Sequence, residues 1–269
     1  MKNIMQHQPR KRFGQNFLQS ENVIQNIINA INPEINDNLI EIGPGLGALT
    51  KEILPFVHKL NVIEIDRDLA QKLKIIFLAD NKLIIHNEDA LHFDFLKLIE
   101  NKNTTKLRIF GNLPYNITTP LIFHVLKFIK QIQDVHFMVQ NEMAERLSAK
   151  PDTKAYGRLT VMVQYFCAVE KLFIVPPEAF TPKPKVHSAI VRLTPHQHLS
   201  TPVKDMALLQ ELVAKSFLTR RKTIFNNLKK ILTKEDFIKL AIDPNLRAEN
   251  ISVDNYVKIT NFLFSKGAT

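Results

Sequence analysis

Three of the chain's seven glycines fall within five residues, in Leu39-Ile40-Glu41-Ile42-Gly43-Pro44-Gly45-Leu46-Gly47-Ala48. A chain so sparing with glycine has placed it where backbone must bend sharply or approach a ligand closely. The apolar residues before the loop and the helical pattern after it spell strand, glycine turn, helix. Such a turn presents backbone N–H groups to a bound ligand. Read as G-x-G-x-x-A, with Glu64 following about 20 residues later, it passes for a dinucleotide fingerprint whose acid accepts from ribose hydroxyls. Alone, it does not separate a nicotinamide cofactor from S-adenosylmethionine. No Gly-Lys-Ser/Thr follows, so a P-loop is excluded. Two further carboxylates tilt the balance. Glu41 stands two residues before Gly43, which suits a cofactor with a sulfonium and an ammonium better than a pyrophosphate. Asp89, in Asn87-Glu88-Asp89-Ala90, can accept from an adenine amine. One such acid would be a solvated loop residue. Acids at successive strand ends, where open α/β sheets bind ligands, favour S-adenosylmethionine.

The second constellation is Leu107-Arg108-Ile109-Phe110-Gly111-Asn112-Leu113-Pro114-Tyr115. It sets Asn-Leu-Pro-Tyr at the mouth of a fourth strand. An arylamine such as adenine N6 is a poor nucleophile, because its lone pair is delocalised into the ring. A site that methylates it needs acceptors for both N–H groups, favouring the pyramidal amine. The Asn112 side-chain oxygen and the Leu113 carbonyl fit that need, and Pro114 stiffens the turn that aims them. Tyr115 offers a flat ring for a base taken out of its stack. An isolated N-x-P-Y would be an ordinary turn; its place after a glycine loop with acidic partners sets it apart.

These residues require an alternating scaffold. A helix is expected over Glu21–Ile31 with Ser20 as its N-cap, then strands at Leu39–Ile42, Leu60–Ile65, Leu83–His86, Leu107–Phe110 and Val135–Gln140. Helices at Leu46–Val57, Asp68–Leu78, Pro120–Lys130 and Asn141–Ala149 separate them. That alternation predicts an α/β fold, a parallel, doubly wound Rossmann-like sheet. Val161–Val175 is a nearly continuous apolar stretch of β-forming residues, followed by a proline-rich loop and a strand at Ser188–Leu193. A linker from Thr194 to Pro202 leads into helical patterning over Val203–Phe217, Arg221–Leu232, Lys234–Leu240 and Asn255–Phe264. The expected division is a cofactor-binding catalytic domain over 1–195 and a small all-α RNA-binding domain over 196–269.

Charge and composition bound the partners. Lys plus Arg number 36 against 26 Asp plus Glu, a net charge of +10. Residues 196–269 hold 12 basic and 7 acidic side chains, so half of that excess sits in this tail. A basic surface attracts phosphate backbones, although Lys-rich composition alone is weak grounds for a nucleic-acid partner. The single cysteine, Cys167, excludes a disulfide scaffold and a cysteine-based zinc site. There is no apolar run of the roughly 18–20 residues that a membrane span needs, and no secretory signal is expected from the polar N-terminal residues. A cytoplasmic protein without membrane association is expected.

The chain resembles the rRNA adenine N6,N6-dimethyltransferase family, specifically its bacterial small-subunit (KsgA-type) branch. The likeness runs from Arg10 to about Phe264. Its marks are Arg12-Phe13-Gly14-Gln15-Asn16-Phe17-Leu18, Glu41–Gly45, Gly111–Ile117, Ala155-Tyr156-Gly157-Arg158-Leu159, Phe180-Thr181-Pro182, Arg220-Arg221-Lys222-Thr223 and Arg247-Ala248-Glu249-Asn250. The resemblance implies that Asn16 and Leu18 close over the methionyl end of S-adenosylmethionine, with Gly43 and Gly45 in the loop beside Glu41. It implies that Glu64 holds the ribose, that Asp89 holds the cofactor's adenine, and that Asn112 sits between cofactor and target. Phe180 would sandwich the target adenine against Tyr115. Arg220, Arg221 and Lys222 would contact RNA. The implied substrates are two adjacent adenosines in a hairpin loop near the 3′ end of 16S rRNA, each methylated twice within the immature 30S subunit, by a monomer with a role in ribosome biogenesis.

Three positions depart from the family pattern. Phe225 stands where a basic residue is expected, and His187 and Lys183 replace more usual Asp and Pro beside the target-base loop. Methylation of DNA adenine or a glutamine side chain is a rival chemistry, but it typically uses Asn/Asp-Pro-Pro-Tyr, and Leu113 breaks that pattern. The large-subunit rRNA branch is a second rival, disfavoured by this tail. An RNA-binding assembly factor without catalysis is a third, and the intact loop with Asn112 and Tyr115 speaks against it. His196 and His198 form an H-x-H without partner ligands, so no metal site is expected.

Overall fold

The computed structural model describes residues 15–99, 106–199 and 201–267. Residues 10–14 of the basic lead-in lie outside that set. The elements run β1 (Phe17–Leu18), α1 (Glu21–Ile31), β2 (Asn38–Ile42), α2 (Ala48–Ile53), β3 (Leu60–Ile63), α3 (Arg67–Ile76) and β4 (Leu83–His86). Then come β5 (Leu107–Asn112), α4 (Thr118–Leu126), β6 (Ile132–Gln140), α5 (Asn141–Leu147), α6 (Arg158–Phe166) and β7 (Cys167–Val175). The chain finishes with β8 (Phe180–Thr181), β9 (Ser188–Pro195), α7 (Met206–Ser216), α8 (Ile224–Leu228), α9 (Lys234–Lys239) and α10 (Val253–Ser265).

Seven strands form one sheet in the order β4-β3-β2-β5-β6-β9-β7. The first five are mutually parallel, as strand–helix alternation requires. Strand β9 runs antiparallel to β6, with Val135 opposite Leu193 and Gln140 opposite Ser188. The sheet is therefore mixed, where an all-parallel one was expected. A parallel entry needs a crossover, usually helical; residues 176–187 supply only a one-turn 3₁₀ piece and the two-residue β8. The apolar stretch Val161–Val175 also divides, with α6 taking it to Phe166 and β7 taking the rest. Without periodicity, such a run fits a buried helix as well as a strand.

The sheet centre is closed to water. Leu39, Ile40, Leu60, Val62, Ile109, Phe110, Val135 and Phe137 are all buried, as strands covered on both faces demand. Adjacent β2 and β5 mark the place where the order of strand addition reverses, and in open α/β sheets ligands bind outside the strand ends there. Ser20 occupies the N-cap of α1 as expected but makes no side-chain bond, whereas Asp66 caps α3 by accepting from Asp68 N–H at 3.0 Å.

The chain divides into two compact units. One holds the described residues through Ala144 together with Glu170–Pro195; the other holds Glu145–Val169 and the described residues from His196 onward. The break at residue 195 coincides with the expected boundary, but 145–169 groups with the tail, so 1–195 is not one unit. The reason is packing. Tyr156 is 1% exposed and donates its hydroxyl to the Ile251 carbonyl at 2.9 Å. Its ring, like that of Tyr256, lies near Phe217, and α6 packs on α7 and α10.

Candidate active site

A cavity opens at the reversal point, and Asn16, Leu18, Glu41, Gly43, Gly45, Glu64, Asp89, Asn112, Leu113 and Tyr115 all line it. The glycine loop joins β2 to α2 through left-handed backbone at Gly43 and Gly45, φ 67° and 59°, which other residues rarely adopt. Gly45 also passes under the Phe17 ring, leaving no comfortable room for a Cβ. The loop's tightness thus follows directly from glycine placement.

Glu64 follows the end of β3 and is 5% exposed. Its Oε2 accepts from Gly45 N–H at 3.2 Å and its Oε1 from Asp66 N–H at 2.9 Å. Burial outweighs these bonds and raises its carboxyl to about 7. Glu41, 2% exposed, accepts from the Thr50 hydroxyl at 2.5 Å; burial pushes it up to about 8, with a smaller upward push from Glu64. Asp89 is more open. Its Oδ1 accepts from Leu91 N–H at 2.9 Å, and Oδ2 lies 3.1 Å from His92 Nδ1. Glu88 is the fourth acid on the wall. Among the described lining residues there are four carboxyl groups and no Lys, Arg or His. That donor set fits a cationic ligand bearing hydroxyls, and it opposes a pyrophosphate.

Across the cavity, β5 ends in the tetrapeptide. The Asn112 amide nitrogen donates to the Asn16 carbonyl at 2.9 Å, which fixes the side-chain orientation and presents its oxygen as an acceptor. Leu113 N–H donates to the Met138 carbonyl at 3.1 Å, and the Leu113 side chain is buried. The turn is tied by Pro114, whose carbonyl accepts from Ile117 N–H and from the Thr118 hydroxyl, each at 3.2 Å. Tyr115 is pinned by its hydroxyl, 2.9 Å from Ser188 Oγ at the start of β9. A Cβ on Gly111 would collide with the Ile42 carbonyl, so glycine sets how closely β5 approaches β2 at this point.

Four expected site residues stand apart from this group. Phe180 is 4% exposed, pairs with Leu18 across the β1–β8 ladder and belongs to the core cluster with Ile27 and Ile28. Phe180 is not among the residues that line the cavity, although its ladder partner Leu18 is. Arg220, Arg221 and Lys222 lie in the helical unit, on the turn before α8 rather than on the helix expected from Arg221, because Thr223 caps α8 by accepting from Asn226 N–H at 3.3 Å. Arg221 and Lys222 are exposed. Arg220 is engaged differently: its Nε meets Glu249 at 2.7 Å and its Nη2 donates to the Lys154 carbonyl, so it clasps two loops. Of the departures, Phe225 lies beneath Lys234 Nζ at 5.5 Å, and Lys183 pairs with Glu178.

Sequence reasoning missed several contributors. Thr50 is a hydroxyl on the inward face of α2 beside Leu49 and Ile53, a signal that was available. Gly111, a glycine inside a strand, was another. Ser188 meets Tyr115 from 73 residues away, and nothing in the sequence couples them. Ile65, 48% exposed on the cavity wall, read simply as the end of a strand.

The Ribosomal RNA adenine dimethylase family model matches residues 6–265. Ribosomal RNA small subunit methyltransferase A of Shewanella sp. (strain MR-7) is 52% identical over 262 residues, 97% of this chain and 97% of that protein. The protein of the same description from Colwellia psychrerythraea (strain 34H) is 52% identical over 257 residues, 96% of this chain and 85% of its own length. Among solved structures, a dimethyladenosine transferase from Plasmodium falciparum superposes with a TM-score of 0.79 at 26% identity, covering 93% of this chain and 98% of that one. With a match spanning nearly its whole length and a glycine loop, acid set and Asn-Leu-Pro-Tyr turn assembled around one cavity, the chain belongs to the ribosomal RNA adenine dimethylase family.

Proposed function

We propose that this protein transfers methyl groups from S-adenosylmethionine to the N6 amines of two adjacent adenosines near the 3′ end of 16S rRNA, dimethylating each. The observation that carries this reading is the cavity wall: four carboxyl groups without a cation among the described lining residues, facing Asn112 and Tyr115. When bound, S-adenosylmethionine would supply an electrophilic methyl, the C–S pair staying on sulfur as N–C forms and the amine's proton passing to water. Glu64 accepts from the ribose hydroxyls while its remaining lone pairs hold Gly45 and Asp66 in place. Asp89 accepts from the cofactor's adenine. Asn16, Leu18 and the Gly43–Gly45 loop surround the methionyl end.

Asn112 and the Leu113 carbonyl accept from the target amine. Their bonds strengthen as the nitrogen becomes tetrahedral and positive, so they stabilise the transition state more than the bound substrate. Tyr115, its hydroxyl tied to Ser188, provides a fixed face for the base. Arg221 and Lys222 supply phosphate contacts from the helical unit. The substrate is the immature small subunit, and the protein acts as a cytoplasmic monomer; among the described residues, no helix is long and apolar enough to cross a membrane. Incubating immature small subunits with labelled S-adenosylmethionine and mapping the modified nucleotides tests this. Label on two adjacent adenosines of the small-subunit RNA is the expected result; no label there, or label on ribosomal protein or other nucleotides instead, refutes it.

A further inference from the structure

Glu41 differs from every other acid on the cavity wall. Glu64 is supported by two backbone N–H donors, and Asp89 and Glu88 reach solvent. Glu41 is 2% exposed, and the hydrogen bond it receives comes from the hydroxyl of Thr50, which is itself fully buried. Resting on the S-adenosylmethionine reading above, we propose that Glu41 is the residue that senses the ligand's sulfonium charge: its carboxyl, held by Thr50, gives up a proton when the cationic methyl donor occupies the cavity and regains one when the neutral thioether product replaces it.

Among the described residues, the geometry leaves few other sources of compensation for a charge at this place. From β3, Glu64 adds negative potential. From β5, Phe110 stands opposite Glu41, and the Arg108 guanidinium is bound to Asp37, Asp134 and the Ile31 carbonyl. From α2, Lys51 is largely exposed and lies 3.6 Å from the half-buried Glu52. Glu88 and Asp89 contribute further negative charge from the loop after β4. A desolvated carboxyl among like charges favours its neutral form until a cation arrives. The free group's value of about 8 agrees with this.

The methyl donor and its product share ribose, adenine and amino-acid portions, and differ by a methyl and one positive charge on sulfur. A group bonded to the ribose or the adenine meets the same partner in both. A residue that responds to charge near the methionyl end can tell them apart, and Glu41 lies one strand repeat before Gly43 on the same wall. Proton loss on binding the donor therefore makes donor affinity rise with pH more steeply than product affinity.

The test is calorimetric titration of the full-length protein with S-adenosylmethionine and separately with S-adenosylhomocysteine, in buffers of different ionisation enthalpy. With its carboxyl raised to about 8, Glu41 of the ligand-free protein is protonated well below that pH, and there the donor should release its proton. The product should release clearly less, and the donor-to-product affinity ratio should rise several-fold between pH ~6.5 and ~8.5. Glu41→Gln should abolish the difference between the two ligands while both still bind. Equal proton release for the two ligands in the parent protein, or a difference that survives in Glu41→Gln, overturns the proposal. The parent comparison decides on its own should Glu41→Gln fail to fold. If S-adenosylmethionine does not bind at all, it is the cofactor reading that fails.

Discussion

Replacing Glu64 with alanine removes the bonds that hold Gly45 and Asp66 N–H and, on the proposed reading, the acceptor for both ribose hydroxyls. A hydrogen bond to a charged acceptor contributes about 1.5–3 kcal/mol. Water entering the vacated space recovers part of the loss at the ribose, so we expect a net penalty near one such bond. That corresponds to roughly 10- to 150-fold weaker S-adenosylmethionine binding. Calorimetry should be run near pH ~8, above the raised value of about 7, so that the parent carboxyl is ionised and the comparison is with a charged acceptor. A thermal melt of the variant alone separates a lost contact from a collapsed loop. Asp89→Ala supplies the internal scale. Asp89 is 36% exposed at its side chain, where water competes for its oxygens, so its loss should weaken binding less. A folded Glu64→Ala protein whose affinity stays within about threefold of the parent would refute the ribose assignment.

Asn112→Ala should lower turnover far more than cofactor affinity, and a matching drop in both would show that Asn112 serves binding alone. Tyr115→Ala should forfeit stacking of roughly 1–3 kcal/mol, while Tyr115→Phe, losing only the Ser188 bond, should be mild in single-turnover assays. Arg221→Gln with Lys222→Gln should flatten the salt dependence of subunit binding by somewhat under one slope unit per contact, without changing S-adenosylmethionine affinity. Arg220→Ala should instead lower the melting temperature, because the Glu249 and Lys154 links are lost; an unchanged melt would contradict its role as a clasp. Glu41 and Glu64 both have folded values raised above 4.5, so the unfolded chain sheds these protons first. Stability of the ligand-free protein should therefore fall as pH rises from about 4.5 to about 8, read from urea midpoints, with a shallower fall in Glu41→Gln.

Local chemistry was legible wherever it was written in consecutive residues. The glycine loop, the acids at strand ends and the Asn-Leu-Pro-Tyr turn could be placed because a strand and its following loop share one short segment. The parallel core was legible because alternating strands and helices admit few arrangements. Contacts between distant segments were not. The burial of Phe180 depends on β1 and β8 pairing across some 160 residues, which no periodicity records. Arg220 looks like its two basic neighbours in sequence, and only the meeting of its turn with the loops at Lys154 and Glu249 distinguishes it. Residues 145–169 were assigned to the first unit by chain order, although the Tyr156 hydroxyl and the apolar face of α6 commit them to the second.

The acid-lined wall also determines which cellular competitors are kept out. ATP carries the same adenosine and would match the ribose and adenine acceptors, but its triphosphate would be driven toward Glu41 and the glycine loop. There it would find no cation among the described lining residues, and each added negative charge would force nearby carboxyls to take up protons. A net charge of +10 thus favours polyanions near the exterior, whereas the described wall of this one cavity disfavours them. On the proposed reading, phosphorylated adenosine compounds are then poor inhibitors, because the described wall that accepts a cationic nucleoside repels them.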